Sequence, residues 1–159
     1  NAVYNQHDLL VVIMDNRTTA MTGHQPHPGV DVSSLGPNES KVDIEAVVRG
    51  CGVDQIERVS PFKLKKTLGI IEEMKKGSGV RVLIAEEPCI LFAKRALKKR
   101  SPSVSSVVTQ SQEVLDCLEQ LACPAFYRDG EDVAVDPEQC AGCMVCIQVT
   151  RDLKAVRRS

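Results

Sequence analysis

Three cysteines, each separated from the next by two residues, constrain the fold of this chain more than any other feature. Cys140, Cys143 and Cys146 lie within CAGCMVC, near the end of 159 residues. Three thiolates on one tight loop can reach three corners of an iron–sulfur cubane, and Gly142 lets the backbone bend closely around it. The segment 113–159 is too short for a good hydrophobic core of its own. The spacing therefore predicts a small module that is held together by a metal cluster.

A fourth ligand is expected upstream of this loop. In ferredoxin-type cysteine runs, the cysteine that precedes a proline ligates the other cluster and not its own. Cys123-Pro124 supplies such a pair. We therefore predict a 4Fe-4S cluster held by Cys123, Cys140, Cys143 and Cys146.

A structural zinc site is the alternative for these cysteines. Zinc ribbons use two separate C-x2-C pairs, whereas this chain has three cysteines in one loop and one distant Cys-Pro, which favours the cubane. Five of the seven cysteines fall between 117 and 146, and an odd, clustered set is not typical of a secreted disulfide framework. The pattern indicates metal ligation in a reducing cytoplasm. Cys51 and Cys89 are interpreted as small buried side chains.

The first hundred residues alternate between strand and helix patterns. Short apolar runs predict strands over 9–15, 55–59 and 80–85, and helical patterns fall at 43–49, 61–76 and 91–100. Only five residues are aromatic, so Val, Ile and Leu must build the core, which suits a parallel sheet buried on both faces. The sequence thus predicts an α/β domain over 1–100. A Ser-, Thr- and Gln-rich linker is expected at 101–112, and an α+β module at 113–159.

A polar loop, DNRTTAMTGHQPHPG, begins at Asp15, where the first predicted strand ends. The carboxyl ends of parallel strands are where α/β sheets bind ligands. An acid, an amide, hydroxyls and carbonyls form an oxygen-rich set that suits Mg²⁺ holding a phosphate. A polar loop with an Asn-capped turn explains the same residues about equally well.

This loop closely resembles the thiamine-diphosphate motif of the large (alpha) subunits of indolepyruvate:ferredoxin oxidoreductases, within the wider 2-oxoacid:ferredoxin oxidoreductase family. NAVYNQHDLLVVIMDN, VLIAEEPCIL and the cysteine-bearing tail are similar to the same family, so the resemblance covers nearly the whole chain. It implies that Mg²⁺ is ligated by the side chain of Asn16 and the carbonyl of Thr18. It also implies a set of residues lining the diphosphate or thiazolium pocket: Asp15, Thr19, Met21, Thr22 and Gly23.

The histidines of the loop are weaker candidates. The resemblance places His24 and His27 where they could face the substrate. Taken alone, each is more typical of a donor that stabilises a loop than of a general base.

The resemblance also implies a reaction and its partners. Expected are oxidative decarboxylation of aryl 2-oxoacids such as indolepyruvate with coenzyme A, giving acyl-CoA and carbon dioxide, and electron transfer through the cluster to ferredoxin. A smaller beta subunit and a cytoplasmic location are expected. A net charge of −1 gives no attraction to nucleic acid, and neither nucleic acid nor a membrane is expected as a partner.

Two departures from the family pattern matter. The upstream GD-x magnesium motif is absent, as is the domain whose glutamate activates the cofactor, so we expect a carboxyl-terminal portion that does not turn over alone. The family's second cluster would need thiols at Ser111, Val114, Cys117 and Thr150, and only Cys117 is a cysteine. We therefore expect one cluster and an orphan thiol at Cys117.

Two other functions stay open at this point. One is a non-oxidative thiamine-dependent decarboxylase with a vestigial iron–sulfur tail. The other is a non-catalytic module for electron transfer or assembly.

Overall fold

The computed structural model of the chain describes residues 1–95 and 101–158. The chain divides into two compact units, Asn1–Leu97 and Lys98–Ser159, and each is described by itself. The elements of the first unit are β1 (Leu9–Asp15), a 3-10 turn (Ala20–Thr22), β2 (Val32–Ser33), β3 (Gly36–Pro37), α1 (Ile44–Gly50), β4 (Gln55–Val59), α2 (Leu64–Lys76), β5 (Val80–Glu86) and α3 (Ile90–Arg95). The remainder of the helix predicted at 91–100 lies outside the described residues.

The first unit is built on a parallel sheet in the order β1-β5-β4. This confirms the predicted parallel α/β architecture. The central strand β5 is the most deeply buried, with Leu83 and Ile84 at 1% and 0% exposure. Its register sets Glu86 opposite Asp15, so the strands end at one edge, where the polar loop begins.

The helices of the first unit pack on this sheet through aliphatic side chains. Met74 of α2 joins Val59 and Leu83 in one buried cluster. Asp43 caps α1 by accepting hydrogen bonds from the backbone N–H groups of Glu45 and Ala46, which explains where that helix begins.

Two expectations for the first unit are wrong in detail. The second helix begins at Leu64 and not at Pro61, because residues 60–63 form a turn in which Lys63 N–H donates to the Ser60 carbonyl at 3.0 Å. The strand β1 was expected to be buried on both faces. Because it is an edge strand of the sheet, Val12 and Met14 are 50% and 83% exposed.

The second unit has the element order strand, helix, strand, strand, helix, strand. Its elements are β6 (Ser103–Val107), α4 (Gln112–Gln120), β7 (Phe126–Asp129), β8 (Asp132–Val135), α5 (Cys146–Val149) and β9 (Leu153–Arg157). The outer strands β6 and β9 pair antiparallel, and β7 and β8 form a hairpin.

The segment expected to be a linker is therefore largely structured. Within 101–112, residues Ser103–Val107 form β6 and Ser111 caps α4. Serine-rich composition concealed the strand because the pairing that stabilises it comes from β9, some fifty residues later in the chain.

The core of the second unit is small and contains two of the cysteines. Its buried members are Val114, Cys117, Phe126, Val133, Cys146 and Leu153. Cys117 is 1% exposed and Cys146 is 8% exposed.

Within residues 1–95 and 101–158, no helix combines the length and the apolar character that crossing a bilayer requires.

Candidate functional site

The polar loop after β1 closes on itself through backbone hydrogen bonds. Thr19 N–H donates to the Gln25 carbonyl at 3.0 Å, and His24 N–H donates to the Thr19 carbonyl at 3.1 Å. Gly23 makes this closure possible, since its φ of +115° is a conformation that side-chain-bearing residues rarely adopt. The closed loop presents Met21, which is 98% exposed, at its tip.

Asn16 and Thr18, the predicted magnesium ligands, are held in a defined turn. The Asn16 side-chain oxygen accepts a hydrogen bond from Thr18 N–H at 3.2 Å, an Asx-turn that fixes the amide orientation. Thr18 is 4% exposed, and its hydroxyl approaches the Gln25 carbonyl at 3.4 Å. The amide oxygen keeps a second lone pair that could ligate a cation.

Asp15 is buried and engaged with its own loop. It is 5% exposed, and its carboxylate accepts a hydrogen bond from Arg17 N–H at 3.0 Å. The Arg17 guanidinium pairs with Glu86 at the end of β5, and Arg58 at the end of β4 pairs with the same carboxylate. These ion pairs connect the start of the loop to the two neighbouring strands.

The segment after β5 is also attached to the loop. Glu87 N–H donates to the Asp15 carbonyl at 3.1 Å, and Cys89 N–H donates to the Asn16 carbonyl at 2.9 Å. The Cys89 thiol lies 3.9 Å from Nε2 of His24. The His24 ring also stacks on Phe92 of α3, with ring centroids 6.1 Å apart.

The two histidines therefore have different environments. His24 is in contact with Cys89 and Phe92, at the same edge of the sheet as Asn16. His27 accepts a hydrogen bond at Nδ1 from Gly29 N–H, at 3.2 Å. That contact gives His27 a loop-stabilising role.

In the second unit, the four cysteines predicted as cluster ligands include one buried thiol, Cys146, and three half-buried ones. Burial raises the pKa of the Cys143 thiol above its usual range, and the neighbouring thiols of Cys123 and Cys140 raise it further. Burial likewise raises the pKa of Cys146, with the charges of Cys143 and Cys140 adding to it. All four cysteines lie in the described part of the chain, and no three of them are placed to hold a single metal ion.

The cysteine loop bends where it passes close to the strand β6. Gly142 has a φ of +71°, and a Cβ placed on it would lie 2.3 Å from the Ser101 Cβ and 2.4 Å from the Ser103 carbonyl oxygen. Only glycine fits such an approach. The close contact holds the loop 140–146 against β6.

Arg158 ties the end of the chain to the same loop. Its guanidinium donates to the Cys140 carbonyl at 2.6 Å, to the Ser101 carbonyl at 3.3 Å and to the Pro137 carbonyl. One planar side chain thus joins the start of the cysteine loop to the residue Ser101 before β6.

The strand β6 also reaches a cysteine sulfur directly. The Ser105 hydroxyl lies 2.8 Å from Sγ of Cys146, and both residues are buried, at 4% and 8% exposure. This contact joins positions 41 residues apart in the chain.

The positions at which a second cluster would need its ligands carry structural roles. Ser111 caps α4 by accepting from Val114 N–H at 3.3 Å, and Val114 is fully buried in the core. The Thr150 hydroxyl donates to the Glu113 carboxylate at 2.6 Å. Burial raises the pKa of Cys117, so its thiol is a poor nucleophile.

In the part of the chain that the structure describes, no three His, Cys, Asp or Glu side chains are placed to hold a metal ion. The two magnesium donors predicted above are of other types, since one is an amide oxygen and the other a backbone carbonyl.

Several contacts of these sites could not be read from the sequence. Glu86 and Cys89 reach the polar loop, and Arg58 reaches Glu86, only because the parallel strands end together. Ser105 and Arg158 reach the cysteine loop only because β6 pairs with β9. Four serines among the seven residues of SPSVSSV were the visible pattern, and it is equally typical of a linker.

Comparisons with known proteins show the family of the chain. Residues 1–85 match the family described as thiamine pyrophosphate enzyme, C-terminal TPP binding domain. The relatives include proteins named indolepyruvate oxidoreductase subunit IorA. The chain is 41% identical to that of Archaeoglobus fulgidus, 38% to that of Methanothermobacter thermautotrophicus and 34% to that of Pyrococcus horikoshii, in each case over 94% of this chain.

The chain spans 24% of the length of each of these relatives. No solved structure matches it.

Proposed function

Because this chain belongs to the thiamine pyrophosphate enzymes and is homologous to indolepyruvate oxidoreductase IorA subunits, we propose that it is part of a thiamine-diphosphate-dependent 2-oxoacid oxidoreductase. The reaction proposed is oxidative decarboxylation of an aryl 2-oxoacid such as indolepyruvate with coenzyme A. The products are an acyl-CoA, carbon dioxide and reduced ferredoxin. The observation that carries the proposal is the ordered loop at Asn16, at the carboxyl edge of a parallel sheet within the matched region.

Thiamine diphosphate would be held through Mg²⁺ at this loop. Asn16 offers its amide oxygen and Thr18 its carbonyl, and both are hard oxygen donors of the kind that Mg²⁺ prefers. When bound, the cofactor supplies the nucleophilic and electron-storing chemistry that decarboxylation requires. The chain orients the site: the Asx-turn fixes Asn16, and the ion pairs of Glu86 hold the loop to the sheet.

A single 4Fe-4S cluster would be held in the second unit by Cys123, Cys140, Cys143 and Cys146. Four thiolates are the soft donor set that such clusters take. A cubane offers each sulfur a different iron atom, so its ligands need not converge on one ion. The order strand, helix, strand, strand, helix, strand is also that of ferredoxin-like motifs.

The proposed reaction implies a set of partners. The proposed complex contains a smaller beta subunit, and ferredoxin receives electrons one at a time from the cluster. A reducing cytoplasm is the proposed location, since it keeps the cysteines available as ligands.

The complete enzyme tests the proposal. The full-length subunit and its partner subunit, purified without oxygen, should reduce a viologen dye with indolepyruvate only when coenzyme A is present. Release of an aldehyde without dye reduction would favour a non-oxidative decarboxylase. Failure to react with any 2-oxoacid would leave only a non-catalytic module and would refute the proposal.

Replacing Asn16 with alanine should weaken magnesium-dependent binding of thiamine diphosphate by at least about tenfold, because a metal donor and the turn that orients it are both lost. Isothermal titration of the full-length protein with thiamine diphosphate and Mg²⁺ measures this. The matched control is Asn5→Ala, in an exposed turn at the other end of β1. Equal affinities in the two variants would contradict the assignment.

A further inference from the structure

The Ser105 hydroxyl is a side-chain donor in contact with a proposed cluster ligand. It lies on β6, 4% exposed, with its oxygen 2.8 Å from the Cys146 sulfur. A buried hydroxyl must be hydrogen-bonded, or it forfeits the free energy of its lost hydration. Here the sulfur is the partner that satisfies it.

The direction of this hydrogen bond depends on the state of the sulfur. In the metal-free chain either atom could donate. A cysteine that ligates iron is a thiolate and carries no proton, so its sulfur can only accept. With a cluster in place, Ser105 must therefore be the donor.

We propose that Ser105 sets the reduction potential of the cluster by donating a hydrogen bond to the Cys146 sulfur. Hydrogen bonds to ligand sulfurs are among the features that tune such potentials. Reduction adds one electron to the cluster and leaves more negative charge on its sulfurs. A donor stabilises that charge, so the hydroxyl raises the potential and makes the cluster a better electron acceptor.

Backbone donors do not replace Ser105 in tuning the reduction potential. Backbone N–H groups of Val145 and Ile147 also approach the sulfurs of Cys143 and Cys146, but such donors come with any sequence that folds this way. The Ser105 hydroxyl, in contrast, is present only because the residue at this position is serine. It comes from a strand outside the cysteine loop, so β6 is positioned both to support the cluster and to tune it.

This inference rests on the proposed cluster, and its test separates the two. The full-length protein would be purified anaerobically and titrated with dithionite while the reduced cluster is followed by electron paramagnetic resonance. Ser105→Ala should shift the midpoint potential to a more negative value, and Ser105→Thr, which keeps a hydroxyl, should restore it towards the wild-type value. Ser106→Ala is the matched control, since the Ser106 hydroxyl approaches a backbone carbonyl on the same strand.

A second measurement detects the hydrogen bond itself. In protein exchanged into deuterated water, electron–nuclear double resonance should detect a strongly coupled exchangeable deuteron that is lost in Ser105→Ala and retained in Ser106→Ala. Absence of that coupling in a loaded wild-type cluster would overturn the inference, as would a midpoint in Ser105→Ala equal to that of the wild type. Wild-type protein without any iron cluster would instead refute the proposed electron-transfer function.

Discussion

Replacing Cys143 with alanine will abolish cluster assembly, and the anaerobically purified full-length protein will lose the ~4 iron atoms expected for one cubane. Cys143 stands at the centre of the loop, and its pKa is raised by burial and by the thiols of Cys123 and Cys140. A cubane that has lost one of four protein ligands exposes an iron atom to solvent. Iron and sulfide analysis, with the visible absorption of the cluster, measures the loss.

The control for this experiment is Cys51→Ala. Cys51 was expected to be a small buried side chain, but it is exposed, in the cap that ends α1 in the first unit. Its replacement should leave the iron content unchanged. If Cys143→Ala retains iron, the ligand assignment is wrong. Colourless wild-type protein that contains zinc would show that the cysteines form a structural zinc site.

Replacing Gly142 with alanine should destabilise the second unit by about 2–5 kcal/mol, combining overpacking with a left-handed backbone. The added Cβ would lie 2.3 Å from the Ser101 Cβ and 2.4 Å from a backbone oxygen of Ser103, at a φ of +71°. Backbone cannot move aside as a flexible side chain can. Guanidinium unfolding followed by circular dichroism measures the loss, and iron content should fall with it.

Gly130→Ala separates the two contributions. Gly130 has a similar φ of +64° in the β7–β8 turn, but an added Cβ meets nothing within 4 Å. That substitution should lower the free energy of unfolding only by the backbone strain, about 1–2 kcal/mol. Equal losses in Gly130→Ala and Gly142→Ala would show that the close approach to β6 does not matter.

The elements that the sequence predicted well are those whose pattern is local. LLVVIMD and QIERV each form the strand that was expected, Leu9–Asp15 and Gln55–Val59. Hydrophobic periodicity and a capping Asp43 are properties of a few neighbouring residues. The helix start at Leu64 was misplaced because Ser60-Pro61 suits a first helical turn and a tight turn equally.

What could not be predicted depends on pairings between distant residues. Three of the five residues of the strand β6 are serines. Its stability comes from β9, with which it pairs from Ser103 to Val107. The ion pairs of Glu86 likewise require β1, β4 and β5 to end at one edge. For the candidate sites, residue types and spacing indicated Asn16 and the cysteines, but the supporting contacts of Cys89 and Ser105 were visible only in the fold.

The pairing of β6 with β9 has an engineering consequence. Because Ser103 lies opposite Arg157, the start of β6 and the end of β9 lie side by side. A module whose ends adjoin can be inserted into a surface loop of a host protein with little disturbance to either. The segment 103–157 is therefore suited to transplantation as a cassette, with a short connector at each end.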